Sequence, residues 1–446
     1  MGGPFPAAHR EDVSKAQTSG RRQLAKLYDD AFADFAVRAD LPDFDYIGIH
    51  GIWSWISDAN RTVIVDFIRK KLKVGGVLYI SYNTLPGWAA MLPMRDLLTE
   101  HSEIMGVPGR GITSRIDAAL EFVEKLFTTN PHYTKANPLI TERLKGIKAH
   151  NRNYLAHEYF NRDWLPMSFS RMVEWLEPTK VSYACSAQYL DHIVAINLTA
   201  EQQVFLNEIP DAMFRVTVRD FMINQQFRKD YWVKGARKLN PLDQAETLRS
   251  QKVILVQARA DVSLKITGAI GEATMQEAVY NPILDVLADH KPRTIEQVEQ
   301  AVKDQSVTFA QLTQAVMVLA GSGNLAAVQD DPVIIKAKPH TAKLNLHLIS
   351  KARGSGDISY LASPVTGGGI TVGRFQQLFL LAISQGKKQP AEWAVFVWQL
   401  LAAQNQKIIK EGKTLESSDE NLAELTAQAQ IFAEKQLPIL KALGIA

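Results

Sequence analysis

Residues 44–88 contain two short apolar runs joined by an amphipathic segment, and this arrangement constrains the fold more than any other feature. The first run, at 46–50, is rich in residues that favour β-strands. After Ser57 the apolar residues recur at helical spacing, and a basic cluster precedes the glycine pair at 75–76, where we expect the helix to end. The second run, VLYISY, is continuously apolar, as in strands buried on both faces. The pattern predicts a strand–helix–strand unit, and hence an α/β fold with a parallel sheet.

Polar and aromatic side chains follow both predicted strands at the points where the strands end. The residues His50, Trp53 and Trp55 follow the first strand, and Tyr82, Asn83 and Trp88 end or follow the second. In open α/β sheets, ligands bind in a crevice beyond the carboxyl ends of the strands. A single aromatic or histidine there is more often a packing residue, but two such clusters at equivalent strand ends favour a ligand site. We therefore expect both loops to line one crevice.

Composition and charge narrow the function classes. The 446 residues predict two to four domains, and 50 Lys and Arg against 47 Asp and Glu leave a net charge of only +3. Such a balance gives no overall field for nucleic acid or membrane, so neither is predicted as a partner. The single cysteine, Cys185, excludes a disulfide framework and a multi-cysteine zinc site, and no metal site is predicted. No apolar run is long enough to span a bilayer, and the first residues lack a signal-peptide centre, so a cytoplasmic location is expected.

The stretches FDYIGIHGIWSWIS and LKVGGVLYISYNTLPGW resemble the class I S-adenosylmethionine-dependent methyltransferases, and within them the bacterial group with a methyltransferase regulatory domain. Further residues that resemble this group lie at 28–35, 153–169, 227–235 and 358–370. The resemblance implies a Rossmann-like sheet, S-adenosylmethionine as the cofactor and transfer of its methyl group. The implied acceptor is either a protein lysine, which would make a protein the partner, or a small molecule.

The resemblance also implies roles for individual residues. Three residues would border the adenine after the third strand of the family's sheet: Asp30, Ala31 and Phe32. His50 and Gly51 would follow the fourth strand, near the methionine end of the cofactor. Tyr82 and Asn83 would follow the fifth strand and face the acceptor. His50 and Tyr82 are the predicted catalytic residues, which would contact or deprotonate the acceptor.

The predicted acceptor-binding residues come from three places in the sequence. They are Trp53 after the first strand, Asn83 and Trp88 after the second, and His157 and Tyr159 in the segment AHEYFN. Consecutive helix positions point in different directions, so packing is the favoured role for AHEYFN and an acceptor-binding lid is the alternative.

The sequence departs from the family before Asp30. The family's sheet begins with a strand that ends in an acidic residue and a glycine-rich turn, and neither occurs there. We expect an N-terminally truncated sheet, with residues 9–23 as the remnant of a helix and loop. TGGGITVG at 366–373 is interpreted as a structural turn, because no carboxylate ends the segment before it. The alternative function is therefore a non-catalytic methyltransferase relative that acts as a regulatory or protein-binding module.

The rest of the sequence predicts three domains. Residues 1–240 form the truncated methyltransferase domain, with a helical insert at about 89–165 that either roofs the crevice or forms a homodimer contact. Residues 241–335 predict a regulatory winged-helix-like domain, and an acidic excess within it favours protein contact over DNA. Residues 336–446 form a helical C-terminal region, and 331–357 is interpreted as a connection.

Overall fold

The computed structural model describes residues 26–106, 109 and 111–446. The chain divides into two compact units. The first unit ends at Lys238 and also includes Gly268–Gly271, and the second comprises Leu239–Thr267 and Glu272–Ala446. The expected remnant at 9–23 and the signal-peptide argument concern residues outside the described ranges.

Four strands form the main sheet of the first unit: β1 (Phe44–Ile49), β2 (Leu72–Asn83), β3 (Val181–Ser186) and β4 (Phe227–Lys234). Their spatial order is β1-β2-β4-β3. β1 and β2 are parallel, as predicted, and β4 runs antiparallel to both β2 and β3. Among the described strands, β1 pairs only with β2, so it forms an edge of this sheet.

The first unit contains eleven helices among its described residues, and those that lie between β2 and β3 in the sequence include a group with its own core. In chain order they are α1 (Phe32–Ala36), α2 (Asp58–Lys71), α3 (Leu92–Ile104), α4 (Ile112–Thr128), α5 (His132–Ala136), α6 (Ile140–Lys148), α7 (Arg152–Glu158), α8 (Phe169–Leu176), α9 (Val194–Asn197), α10 (Ala200–Glu208) and α11 (Ala212–Met222). Short 3-10 turns lie at Trp53–Trp55, Glu177–Thr179 and Tyr189–His192.

Helix α2 begins where the sequence predicts and ends earlier. Ser57 caps its first turn by accepting a hydrogen bond from the backbone N–H of Asn60, at 3.4 Å. The helix ends at Lys71, before the glycine pair that we expected to stop it. Leu72 is instead the first residue of β2 and is buried against the core. Gly75, at φ +83°, allows the irregular pairing with β1 at this point.

Two hydrophobic cores stabilise the first unit. One lies against the sheet and is made of large buried side chains that include Trp53, Ile68, Leu78, Phe169 and Trp232. The other joins the helices between β2 and β3 through residues that include Met94, Leu98, Leu120, Val123 and Leu144. The helical insert therefore has its own apolar centre, which holds it as a rigid body beside the ends of β1 and β2.

The second unit is mainly helical and contains several small sheets. Its strands are β5 (Lys252–Leu255), β6 (Lys265–Gly268), β7 (Gly271–Thr274), β8 (Arg293–Thr294), β9 (Leu325–Ala327), β10 (Tyr360–Ala362), β11 (Gly369–Thr371), β12 (Ile409–Lys410) and β13 (Lys413–Thr414). Its helices are α12 (Pro241–Ser250), α13 (Glu277–Val286), α14 (Ile295–Val302), α15 (Phe309–Gly321), α16 (Asp331–Lys351), α17 (Arg374–Ser384), α18 (Pro390–Ala403), α19 (Ser418–Ile431) and α20 (Leu437–Ala442), with a π-helical turn at Phe432–Gln436.

The sheet β8-β5-β9 and helices α13–α15 occupy the range predicted to be winged-helix-like. The winged-helix identity and the regulatory role of this range stay predictions. The expected connection at 331–357 is wrong over most of its length, because α16 spans 331–351. Pro332 lies in the first turn of α16, where a missing N–H costs no helical hydrogen bond, and Asn345 and Ile349 are buried. In TGGGITVG, Gly367 and Gly368 lie in the turn between the antiparallel strands β10 and β11, Gly369 begins β11, and Gly373 precedes α17.

Two features are absent from the described residues. None of their helices combines the length and the apolar character that a membrane span needs. No group of three or more His, Cys, Asp or Glu side chains in the same ranges is arranged to hold a metal ion.

Candidate functional site

A cavity of about 310 Å³ lies where β1 and β2 end, in the first unit. Its lining is drawn from the loops after both strands, the helical insert and the start of β4: Gly51, Trp55, Asn83, Trp88, Tyr154, Glu158, Tyr159, Trp164, Gln226 and Phe227. Six of these ten residues are aromatic. The two strand-end loops therefore line the same cavity, and the helical insert supplies much of the opposite wall.

Hydrogen bonds hold the two strand-end loops together. The backbone N–H of Gly51 donates to Ser81 Oγ at 2.9 Å, and the backbone N–H of Asn83 donates to Ser54 Oγ at 2.8 Å. The backbone N–H of Leu165 donates to the carbonyl of Ser54 at 2.8 Å, which attaches the segment after α7 to the same loop. Two small hydroxyl residues thus fix the relative position of three parts of the cavity wall.

The loop PGW, at 86–88, packs tightly against the segment before β4. The backbone N–H of Gly87 donates to the carbonyl of Gln225 at 3.0 Å. A Cβ atom at Gly87 would lie 2.4 Å from that same carbonyl oxygen, so only glycine permits this approach. The contact places Trp88 in the wall of the cavity.

The aromatic walls are themselves held by polar groups. The ring centroid of Trp88 lies 5.1 Å from that of Trp164 and 6.2 Å from that of Tyr159, both in edge-on geometry. The guanidinium of Arg95 lies 5.3 Å from the Trp164 ring centroid, and its Nε donates to the carbonyl of Tyr159 at 2.9 Å. Arg95 also donates to the carbonyl of Asn161. The rings are therefore positioned before any ligand binds.

Several polar side chains in the lining have no hydrogen-bond partner among the described residues. Asn83 is 5% exposed, and its side-chain amide makes no hydrogen bond within the described ranges. Glu158 is half-buried and forms neither a hydrogen bond nor an ion pair with any described residue. Burial raises the pKa of the Glu158 carboxyl, although the neighbouring His157 opposes that rise. The indole N–H groups of Trp55 and Trp88 likewise have no acceptor among these residues. A cavity that leaves buried polar groups unpaired is suited to a ligand that pairs with them.

The structure brings four of the predicted site residues together in this lining: Gly51, Asn83, Trp88 and Tyr159. His50 is exposed and stands beside the cavity, outside its lining. The Nδ1 atom of His50 lies 2.9 Å from the Tyr79 hydroxyl and 3.1 Å from Ser81 Oγ. These two hydroxyls hold the imidazole at the end of β1.

Tyr82 and Trp53 are core residues. Tyr82 is fully buried, and its hydroxyl donates to Asp230 Oδ2 at 3.0 Å. Burial raises the pKa of this phenol. Trp53 is also fully buried, and its indole N–H donates to Met167 Sδ at 3.2 Å. Neither side chain lines the cavity, so this placement gives no support to their predicted acceptor roles.

The remaining predicted residues lie elsewhere on the first unit. His157 is exposed and outside the lining, whereas its neighbour Glu158 on α7 is a lining residue. The three predicted adenine-bordering residues, Asp30, Ala31 and Phe32, are exposed at the start of α1. The carboxylate of Asp30 pairs with Arg38 at 2.9 Å.

Six lining residues are not among the predicted site residues: Trp55, Tyr154, Glu158, Trp164, Gln226 and Phe227. Trp55 lies two residues from the predicted Trp53, and the tryptophan-rich loop was the available signal. Tyr154, Glu158 and Trp164 belong to the stretch 153–169, whose resemblance to the methyltransferases indicates family but not orientation. Phe227 begins the stretch 227–235, which resembles the same family, and Gln226 carries no local signal for a ligand site.

Comparisons with known proteins extend this description. A family model described as a predicted methyltransferase regulatory domain matches residues 151–234. That range does not overlap 241–335, where the sequence analysis places a regulatory domain. The matched range contributes Tyr154, Glu158 and Trp164 to the cavity.

Two relatives illustrate how far the sequence similarity extends. The uncharacterized protein sll1526 of Synechocystis is 40% identical over 430 residues, which are 96% of this chain and 83% of that protein. The uncharacterized protein RP789 of Rickettsia prowazekii is 29% identical over 205 residues, which are 42% of this chain and 36% of that protein.

Solved structures share the fold over nearly the whole chain. PKMT2 from Rickettsia typhi in complex with AdoHcy matches with a TM-score of 0.64 at 17% identity, over 98% of this chain and 86% of that one. A second structure of PKMT2 from Rickettsia typhi matches with a TM-score of 0.62 at 16% identity, over 97% of this chain and 86% of that one. The relative that covers nearly the whole chain shows that this chain belongs to one family with sll1526. The chain contains a match to a predicted methyltransferase regulatory domain, and its fold is that of PKMT2.

Proposed function

We propose that the first unit transfers a methyl group from S-adenosylmethionine to an acceptor that enters the cavity at the ends of β1 and β2. The observation that carries the proposal is the convergence of both strand-end loops on one aromatic cavity, with the unpaired amide of Asn83 in its wall. Family membership supports it, as does the shared fold with PKMT2, which is described in complex with AdoHcy. AdoHcy is the form that S-adenosylmethionine takes after it has donated its methyl group.

The described residues fit one end of this cofactor. Gly51 has φ +62° and no atom within 4 Å of the place where a Cβ would stand, so a ligand can approach the backbone closely there. Within the described ranges, no strand that ends in a carboxylate leads into a glycine-rich turn. We therefore assign His50 and Gly51 to the methyl-bearing end, and the roles of Asp30, Ala31 and Phe32 beside the adenine stay predictions.

Methyl transfer to an amine needs the loss of one proton from the acceptor, because only the neutral amine has the lone pair that forms the new bond, and it needs no further acid–base chemistry. When bound, the cofactor supplies an already activated sulfonium, so the protein has to orient the acceptor and exclude water. The six aromatic residues of the lining keep water from most of the wall. The Asn83 amide can accept from or donate to the acceptor's nucleophilic group, which fixes its direction of approach. This positioning role needs no titration of Asn83.

The acceptor we propose is an amine, as in a protein lysine side chain or a small molecule. A cavity of about 310 Å³ is at the lower end of the usual range for small-molecule sites, so it admits one side chain or one small ligand. A lysine side chain would reach in while the rest of its protein stayed outside. The homodimer contact through the helical insert stays a separate prediction.

Calorimetric titration of the full chain with S-adenosylmethionine, and separately with AdoHcy, tests the proposal. We expect both to bind with dissociation constants of about 1–100 μM. Absence of heat for either compound at about 1 mM would contradict the proposal and favour the second candidate below.

The second candidate is a non-catalytic relative whose cavity binds a partner group without modifying it. The specific observation in its favour is that the described residues contain no glycine-rich turn of the cofactor-binding type. A chain that binds a cavity ligand but neither S-adenosylmethionine nor AdoHcy would have this function.

A further inference from the structure

Glu158 stands out among the described lining residues because it alone carries a charge. Its carboxylate is half-buried at the end of α7 and has no partner within the described ranges. An anion that loses hydration without gaining a partner is costly, and the raised pKa of Glu158 reflects that cost. A ligand that brings a positive charge or N–H donors would remove it.

The aromatic lining favours the same kind of ligand. Six rings surround the space beside Glu158: Trp55, Trp88, Tyr154, Tyr159, Trp164 and Phe227. The faces of aromatic rings carry negative charge density, so they attract alkylammonium groups and give no comparable gain with neutral or anionic ones. Rings and carboxylate together favour a cation with an apolar stem.

Two of these rings already contact cations of the protein. The Arg143 guanidinium lies 5.2 Å from the Trp88 ring centroid, and that of Arg95 lies 5.3 Å from the Trp164 ring centroid. Neither arginine is a lining residue. Arg95 is paired with Asp96 at 3.2 Å, and the Arg143 Nη1 is 3.5 Å from the carbonyl of Gly87. Neither guanidinium therefore forms an ion pair with Glu158, and the adjacent His157 favours the Glu158 carboxylate only electrostatically, without a hydrogen bond to it within the described ranges.

We propose that Glu158 is the specificity-determining residue of the cavity, and that it selects a group carrying a cationic amine on an apolar stem. The inference rests on the proposed function only in taking this group to be the methyl acceptor. As an acceptor, the bound ammonium would first pass one proton to Glu158 or to solvent, because only the neutral amine has the lone pair that attacks the methyl carbon. The preference for a cation follows from the lining itself and does not require the cofactor.

Binding of a matched pair of probes to the full chain tests this selection. The probes are n-butylammonium and 1-butanol, which have similar size and differ in charge, and binding is followed by calorimetry at pH 8. We expect wild type to bind n-butylammonium at least about tenfold more tightly than 1-butanol, since a cation–π contact and an ion pair at a partly buried site together exceed about 1.4 kcal/mol.

The decisive variant is Glu158→Gln, which keeps the shape of the side chain and removes its charge. We expect the preference of this variant for n-butylammonium to fall at least about threefold below that of wild type, because the carboxylate is lost and only the aromatic rings still favour the cation. Glu142→Gln is the matched control, because it removes a carboxylate of the same unit that pairs with Lys145 outside the cavity lining. The control is expected to keep the wild-type preference. Thermal unfolding of both variants, expected to match wild type within a few degrees, checks that the fold is retained.

An unchanged preference for n-butylammonium in Glu158→Gln would overturn the inference, and so would equal binding of both probes by wild type. Methyl transfer is measured separately on the same preparations. If wild type transfers no methyl group but still prefers n-butylammonium through Glu158, the proposed function is rejected and the selection by Glu158 is supported. If wild type transfers a methyl group and Glu158→Gln leaves the preference for n-butylammonium unchanged, the proposed function is supported and the selection by Glu158 is rejected.

Discussion

Tyr82 and Asn83 are consecutive residues of β2, and their side chains lie on opposite faces of the sheet. The Tyr82 hydroxyl donates to Asp230 in the core at 3.0 Å, whereas Asn83 lines the cavity. Their partners on β4 alternate in the same way, since Tyr82 pairs with Arg228 and Asn83 pairs with Phe227 of the lining. Tyr82 therefore stabilises the fold, while the next residue, Asn83, faces the cavity. Substituting each residue alone separates the effect on stability from the effect on ligand binding.

Tyr82→Phe should destabilise the protein without changing the cavity. The substitution removes a buried hydrogen bond to a carboxylate, which typically contributes about 1.5–3 kcal/mol. Asp230 keeps its hydrogen bonds from Arg228, at 2.9 and 2.8 Å, so no charge is left unpaired. Urea unfolding gives the free energy, and n-butylammonium titration gives the binding. A variant with wild-type stability and weaker binding would show that Tyr82 acts in the site.

Gly87→Ala should destabilise the protein more than Gly51→Ala. At Gly87 a Cβ would collide with the backbone of Gln225, at 2.4 Å from the oxygen and 2.6 Å from the carbonyl carbon, and such overpacking costs about 1–3 kcal/mol. At Gly51 a Cβ meets no atom within 4 Å, and the cost is only that of φ +62°, about 1–2 kcal/mol.

The two glycine variants differ also in their effect on the cavity. Because Gly87 precedes Trp88, its substitution should alter the fluorescence of the tryptophan-lined wall, and Gly51→Ala should leave it nearly unchanged. Equal unfolding free energies and equal spectra for the two variants would mean that the tight contact at Gly87 does not position the wall.

Asp220 should make stability fall as pH rises between about 4 and 6. Its carboxylate pairs with Arg228 at 2.7 Å, but burial outweighs that attraction and raises the pKa of Asp220 to about 6. The other carboxylate oxygen has no partner within the described ranges. A raised carboxyl pKa means that the folded state holds the proton more tightly than the unfolded state does. The contribution to stability is therefore greatest at pH values below the pKa in the unfolded state, and it is lost as the pH rises through the pKa in the folded state.

Comparison with Asp220→Asn isolates this contribution, because most other titrating groups are common to both proteins. Relative to the variant, wild type should lose about 2–3 kcal/mol between pH 4 and pH 7. Urea unfolding at intervals of half a pH unit measures the difference. A difference that stays constant, or that grows in favour of wild type with rising pH, would contradict the assignment.

The strand–helix–strand unit at 44–88 could be predicted because its signals are local. Apolar periodicity and the cap at Ser57 define α2, and a parallel pair of strands follows from the order of elements. The end of α2 could not be placed correctly, since burial of Leu72 by tertiary contacts outweighs the glycine signal at 75–76. α16 was missed for a similar reason, because its buried face is narrow and most of its residues are polar or exposed.

The cavity was predictable only in part, for the half that the strand-end loops form. Its other half comes from residues distant in sequence that are joined by backbone pairing, such as Met167 N–H to the Asn83 carbonyl at 3.1 Å. Thr84 N–H donates to the Gln226 carbonyl at 2.8 Å, across more than 140 positions. The opposite orientations of Tyr82 and Asn83 could not be read from VLYISYN either, since a strand covered on both faces shows no alternation of polar and apolar residues.

Transfer of labelled methyl from S-adenosylmethionine tests the central claim most directly, that the cavity is the acceptor side of a methyltransferase site. The full chain is incubated with the labelled cofactor and either lysine-containing peptides or small alkylamines, and incorporation is counted. Wild type should methylate at least one of these acceptors, and Asn83→Ala should reduce the rate at least about tenfold, because it removes an interaction of about 1.4 kcal/mol or more in the transition state. Asn83→Ala should leave the unfolding free energy within about 1 kcal/mol of wild type, since its amide has no protein partner in the described ranges. Incorporation by Asn83→Ala at the wild-type rate would contradict the claim.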